Sequence, residues 1–269
     1  MSRLKDLLDI HIIHFSKLAE RKSSLAKQLP TSLNSSWVTE HFVDINQSNF
    51  VNGDKVFGVT PRKIGMDLGI NSRSLSRSRR KAKYEGYFLL LRSFLDNRGE
   101  SLVASQIETR ARQKVPILEN LHQHLFAIKQ ASNSEKQFHL IIEDDALPTE
   151  SAWLNLENMI LSIKKRDRFI AFLGSGADLA RTSSDQKIDA FGLYNTHTFC
   201  TRTAVATLYS RDVCQDICKL IEKYGIPDWM PIDYLLQVAT RKLKIKTFWQ
   251  DPPLFRQGSE IGVFKSSLR

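Results

Sequence analysis

The chain has 269 residues, 42% of them apolar and 25% charged, the composition of a globular protein with room for one large core or two small ones. No apolar run approaches the roughly 18 to 20 residues that span a bilayer. Three cysteines, Cys200, Cys214 and Cys218, with no CxxC pair, argue against a disulfide framework or a structural zinc site. The net charge of +10 is largely local: residues 71–83, "NSRSLSRSRRKAK", carry six Arg or Lys and no acid. Such a run reads as a solvated loop, or as a contact for an anionic surface such as acidic lipid. Nucleic acid is the weaker reading, because no stacking platform of aromatic residues is interleaved with the charges.

The N-terminus has acids inside it and does not read as a signal peptide, so a cytoplasmic protein is expected. "IHIIHF", residues 10–15, predicts a buried strand. The following segment has Leu18, Leu25 and Leu29 at helical spacing and ends at Pro30. "WVTEHFVDI", 37–45, predicts a second strand. Pro116 suits the start of a helix through residue 130, with Ile117, Leu121, His124 and Ile128 on one face and His122 off it, exposed. A histidine among such neighbours is a core or supporting residue.

Next comes "FHLIIEDDALP", an apolar strand ending in Glu143, Asp144 and Asp145. A helix follows with Ser151 near its N-cap, then the strand "RFIAFLG". "GSGADLA", 174–180, lacks the spacing of a phosphate-binding loop and reads as a turn. "TAVATLYS" is rich in β-formers, and Ser210 is placed to cap a helix closed by Gly225. "LLQVATRKL" predicts a further helix and "KIKTFWQ" a last strand. Strands alternating with helices predict an α/β fold with a mainly parallel central sheet, whose ligands bind beyond the carboxyl ends of the strands.

The three acids stand at such an end. They are either a solvated strand end or a site for a hard cation, since adjacent carboxylates repel and oxygen ligands suit Mg²⁺ or Mn²⁺. Alternation along a strand sends Glu143 and Asp145 to one side and Asp144 to the other. Asp233 is either an N-cap for the helix after it or a carboxylate aimed into a cleft.

Several blocks, in order, resemble glycosyltransferase family 25, the lipopolysaccharide and collagen galactosyltransferase-like group. They are "IHIIHFSKLAERKSSLAKQL" with Arg21, "QHLFAIKQ" with His124, "LIIEDDALP", "ATLYSRDVCQDICKLI", "MPIDYLLQ" with Asp233, and "PPLFRQGSEIGVFKSSL" with Pro253, Gln257, Ser266 and Ser267. The resemblance implies a single domain over 1–269 with a GT-A-like, Rossmann-type fold that binds a nucleotide sugar, the basic run being an insertion. It implies transfer of a hexose, galactose first, from a UDP-sugar to a hydroxyl of a cell-surface or lipid-linked glycan, metal-assisted and inverting. In this reading Asp145 and Glu143 hold Mn²⁺ or Mg²⁺, and Asp233 is the base. His14, Arg21, Asp144, Gln257, Ser259 and Ser267 lie against the donor, and His124 supports the site. Contact of residues 71–83 with acidic lipid would bring the enzyme to the inner face of the membrane.

Two positions depart from the family pattern: His14 replaces asparagine, and Gln123 replaces serine or lysine. They carry one alternative, a homologue that binds sugar nucleotide without turnover. The other is a basic protein that binds nucleic acid or membrane without catalysis.

Overall fold

A computed structural model describes residues 3–39, 50–51, 104–163, 168–175, 185–195, 203–224, 226–227 and 232–265. A short helix α1 (Leu4–Leu7) leads into strand β1 (Leu8–Ile13), then α2 (Ala19–Ala26) and β2 (Asn34–Val38). After β3 (Phe50–Val51), the long helix α3 (Ala104–Asn133) enters β4 (Phe138–Glu143). The strand β5 (Ala146–Pro148), helix α4 (Ala152–Ser162) and strands β6 (Phe169–Phe172), β7 (Gly174–Ser175), β8 (Gln186–Lys187) and β9 (Leu193–Asn195) follow. The chain continues through β10 (Ala206–Ser210), α5 (Arg211–Tyr224), β11 (Ile226–Pro227), α6 (Ile232–Leu243), β12 (Lys246–Gln250) and β13 (Phe255–Gln257).

Eight strands form the main sheet in the order β2-β1-β4-β10-β6-β12-β9-β8. β1 pairs parallel with β2 and β4, and β6 parallel with β12. β10 lies antiparallel between β4 and β6, and β9 antiparallel between β12 and β8. Six strands therefore share one direction, yet the sheet is mixed rather than parallel throughout. The reversed β10 stands fourth in the sheet, and its antiparallel register sets the start of β10 beside the end of β4.

Alternation along the strands divides the core in two. Ile10, Ile12, Leu140, Ile142, Phe169, Ala171 and Leu208 pack on one face with Leu25 of α2 and Leu156, Met159 and Ile160 of α4. Ile13, Ile141, Ile170, Phe172, Tyr209 and Trp249 pack on the other with α3, α5 and α6. The result is a layered α/β/α arrangement.

The structure extends or shifts several expected elements. α3 begins twelve residues before Pro116, so that proline stands inside a helix rather than at its start. A proline there removes one backbone hydrogen bond, which the rest of a 30-residue helix tolerates. The expected face is buried at Leu121, His124 and Ile128, while the side chain of Ile117 lies outside the described residues. His122 is half-buried rather than exposed.

Ser210 ends β10, and its hydroxyl accepts the N–H of Phe169 at 3.2 Å; the sheet claims it instead of the following helix. Ser151 stands at the N-cap of α4 without a side-chain cap bond. Cys214 and Cys218 are unpaired residues on the packed side of α5. The second strand stops at Val38, and the remainder of its expected span, 40–45, lies outside the described residues. So do Cys200, Gly225, residues 176–180 of the expected turn and the basic run at 71–83.

Candidate functional site

β1 is the point at which the sheet changes direction of growth. From it the chain passes to β2 on one side and later returns to β4 on the other. Crossovers that diverge in this way open a crevice at the carboxyl ends of the two central strands, where open α/β sheets bind ligands. His14 and Phe15 leave β1 there, and Glu143, Asp144 and Asp145 leave β4 there.

Asp144 turns toward α2. Its Oδ2 accepts His14 Nδ1–H at 2.9 Å and the N–H of Phe15 at 3.3 Å, and its Oδ1 accepts Arg21 Nη1–H at 3.0 Å. All three side chains are buried: Asp144 is 3% exposed, His14 2% and Arg21 5%. Both oxygens of Asp144 are thus occupied by partners from the end of β1 and from α2. A buried pair of this kind costs about 3 to 5 kcal/mol to break from one side, because the remaining charge is stranded. The edge-to-face contact of His14 with Trp37, at 5.5 Å between ring centres, holds the imidazole from the β2 side.

His14 and Gln123 touch. Gln123 Nε2–H donates to the carbonyl of His14 at 3.2 Å. A change at one position is therefore felt at the other.

Asp145 is the contrasting acid. Its Oδ2 accepts the Ser259 hydroxyl at 2.6 Å and lies 3.7 Å from Arg21 Nη1. Its Oδ1 is shut off from solvent and has no hydrogen-bond partner among the described residues. Burial pushes its pKa up to about 6, with the neighbouring Glu143 charge adding to the rise and the Ser259 hydroxyl opposing it. Ser259 reaches Asp145 through a small second sheet, in which β13 pairs antiparallel with β5 and parallel with β7. Gln257 is opposite Ala146 in that pairing, just past the acid turn, and is half-buried.

Glu143 faces α3 and α6. Its Oε1 accepts Asn120 Nδ2–H at 3.1 Å and stands 3.4 Å from His124 Nε2. Burial drives its pKa up, but the hydrogen bond and charge of His124, with Asn120 and Arg21, outweigh it and leave the net shift downward. Asp233, in the first turn of α6, belongs to the same group. Its Oδ1 is enclosed and has no hydrogen-bond partner among the described residues. Burial, then the charge of Glu143, pushes its pKa up to about 6 against the pull of His124 and of backbone N–H groups at Ala204 and Asp233 itself. Ala204 is there because β10 runs antiparallel to β4: Glu143 N–H donates to the Val205 carbonyl at 2.9 Å, which sets the loop before β10 beside the acids.

The expected alternation holds for Glu143 and Asp144, which go to opposite faces, but not for Asp145. Residues 144 and 145 form the turn between β4 and β5, so strand geometry ends at Glu143 and Asp145 stands near the same guanidinium as Asp144. The structure thus gathers His14, Arg21, Glu143, Asp144, Asp145, Ser259 and His124 at one crevice, with Asp233 at its α6 side. Ser267 lies outside the described residues.

Asn120, Lys265 and Phe264 were not legible as site residues. Asn120 did have a signal: it lies four residues before His124, on the same helix face.

Among the described residues no group of three His, Cys, Asp or Glu could hold a metal ion as an all-protein cage. The residues do fit a cation anchored by one carboxylate, since the buried Asp145 Oδ1 is an oxygen without a partner. Hard cations that bridge a diphosphate take one or two protein carboxylates and draw their other ligands from water and substrate.

Fold and crevice define a mixed α/β protein with a buried, charged site at the switch point of its sheet. No protein-family model matches the chain, and no curated protein matches it at a significant level. No helix among the described residues is long and apolar enough to cross a membrane.

Proposed function

We propose that the protein is a glycosyltransferase with a GT-A-like fold, resembling family 25, that transfers a hexose from a UDP-sugar to a hydroxyl of a glycan. One observation carries the reading. At the switch-point crevice a buried carboxylate oxygen, Asp145 Oδ1, has no partner among the described residues, while the buried Arg21 stands 3.7 Å from the other oxygen of that carboxylate, Oδ2. Such an oxygen is costly to bury unless something binds it.

Mn²⁺ or Mg²⁺ held at Asp145, when bound, supplies Lewis-acid stabilisation of the charge that develops on a leaving diphosphate. The chain's own residues do the rest. Asp144 is held by hydrogen bonds from Arg21 and His14, which fixes the turn that presents Asp145. Glu143, tied to α3 by Asn120 and His124, contributes negative charge beside both Asp145 and Asp233. Asp233, with a pKa near 6, is ionised at neutral pH and still basic enough to take a proton from an acceptor hydroxyl. The turn at Ser259 supplies the hydroxyl that holds Asp145 Oδ2.

The test is transfer or hydrolysis measured across a panel of UDP-hexoses, with UDP-galactose first, with and without Mn²⁺. Activity that requires the cation and disappears in Asp145→Asn supports the reading. Undiminished activity in that variant, with the cation site empty, overturns it.

A further inference from the structure

We infer that Ser259 is a positioning residue for Asp145, and that the turn Gly258–Lys265 forms the second wall of the cation site. This rests on the cation reading above. The Ser259 hydroxyl donates to Asp145 Oδ2 at 2.6 Å, and Arg21 Nη1 stands 3.7 Å from that same oxygen. The guanidinium makes its close contact with Asp144 instead, at 3.0 Å. The hydroxyl thus decides which oxygen of Asp145 is occupied, and leaves Oδ1 for a ligand. Without it, the nearest donor for Asp145 is Arg21, and a carboxylate turned onto a buried guanidinium is withdrawn from a cation.

Ser259 can do this because its backbone is pinned on both sides. Gly258 N–H donates to the Asp145 carbonyl at 2.7 Å. The Gly258 carbonyl accepts the N–H groups of Val263 and Phe264 at 2.9 and 3.1 Å, which closes the turn on itself. No side chain fits at Gly258: a Cβ there would stand 2.6 Å from the Phe264 ring and 3.1 Å from the Asp145 carbonyl oxygen. Phe264 lies beneath the Arg21 guanidinium, 5.6 Å from ring centre to Cζ, and the Lys265 carbonyl accepts Arg21 Nη2–H. The turn is therefore fastened both to the acid it orients and to the arginine beside that acid.

The experiment is a Mn²⁺ titration followed by electron paramagnetic resonance, in the presence of UDP, on the wild type, Ser259→Ala and Ser259→Thr. Binding weakened about tenfold in Ser259→Ala (~1.4 kcal/mol) and within about twofold of wild type in Ser259→Thr is the expected result. Equal binding by all three proteins overturns the inference while the cation reading stands. Equal losses in both variants also overturn it, because the hydroxyl is then not the reason. A wild type that binds no Mn²⁺ removes the cation reading itself, and the positioning role with it. Thermal midpoints recorded on the same samples separate orientation from folding: the backbone and ring attachments of the turn persist in both variants, so the midpoints stay close.

Discussion

β1 and β4 carry two buried polar clusters, one in their bodies and one at their carboxyl ends, and the two are built on opposite principles. In the strand bodies His11 Nδ1 meets the Ser36 hydroxyl at 3.0 Å, His11 Nε2 meets His139 Nδ1 at 3.3 Å, and His139 Nε2–H donates to the Lys136 carbonyl at 3.1 Å. All four ring nitrogens of the pair have partners, and burial lowers both pKa values, that of His139 to about 4. The pair is neutral and satisfied, which is how a core accommodates polar groups. At the carboxyl ends the groups are charged, two carboxylates share one guanidinium, and buried carboxylate oxygens of Asp145 and Asp233 have no partner among the described residues. A satisfied cluster stabilises a fold; an unsatisfied charged one at a switch point invites a ligand.

The largest effect that would sharpen this contrast is at Asp144. Asp144→Asn strands Arg21 among buried neighbours and should cost about 3 to 5 kcal/mol of stability, read from urea denaturation. Asp145→Asn, one residue on, should leave stability intact or raised near neutral pH and cut transfer about a thousandfold. If the two variants exchanged these effects, the division of labour between the acids would be wrong. Asp233→Asn should lower the transfer rate about a hundredfold or more while UDP still binds, as seen by calorimetry.

The clusters also oppose each other in pH. His139 has a folded pKa of about 4 against an ordinary 6.5. Below pH 6.5 the unfolded chain therefore takes up a proton that the folded chain refuses, and His139's contribution to stability is lost as pH falls toward 4, by ~3 kcal/mol in all. Asp145 has a folded pKa of about 6 against 3.8. Its contribution has the opposite sign: it is lost as pH rises from about 4 through 6, by a similar ~3 kcal/mol. Urea titrations from pH 4 to 7 should show the stability difference between wild type and His139→Leu growing with pH, and that between wild type and Asp145→Asn shrinking. Parallel curves would erase the distinction. The smallest effect is that of His139→Leu at pH 7: about 1 to 3 kcal/mol from leaving His11 Nε2 without its partner, with transfer unchanged.

The acid triplet was legible because an apolar strand cannot end in three carboxylates without exposing or pairing them, and the alternation of its neighbours marked the end of a core strand. Arg21, His124 and Asp233 were visible only as single residues with bland alternatives beside them. The pairing of Arg21 with Asp144 spans 123 positions of sequence, and no local pattern encodes it. The role of Ser259 was hidden for the same reason: its partner is 114 residues away, reached through two short strands whose pairing has no hydrophobic signature of its own.

By itself, then, the sequence determined the core strands, the amphipathic helices and the place where acids accumulate, because hydrophobic period and turn chemistry are local properties. Tertiary structure alone decided that the central strand β10 runs backwards and sets Ala204 and Val205 beside Glu143. It alone decided that Asp144 is spent on holding the crevice together while Asp145 keeps an oxygen in reserve. That difference between adjacent, chemically identical side chains depends on which distant donors arrive at each, and packing, not the order of residues along the chain, brings them there.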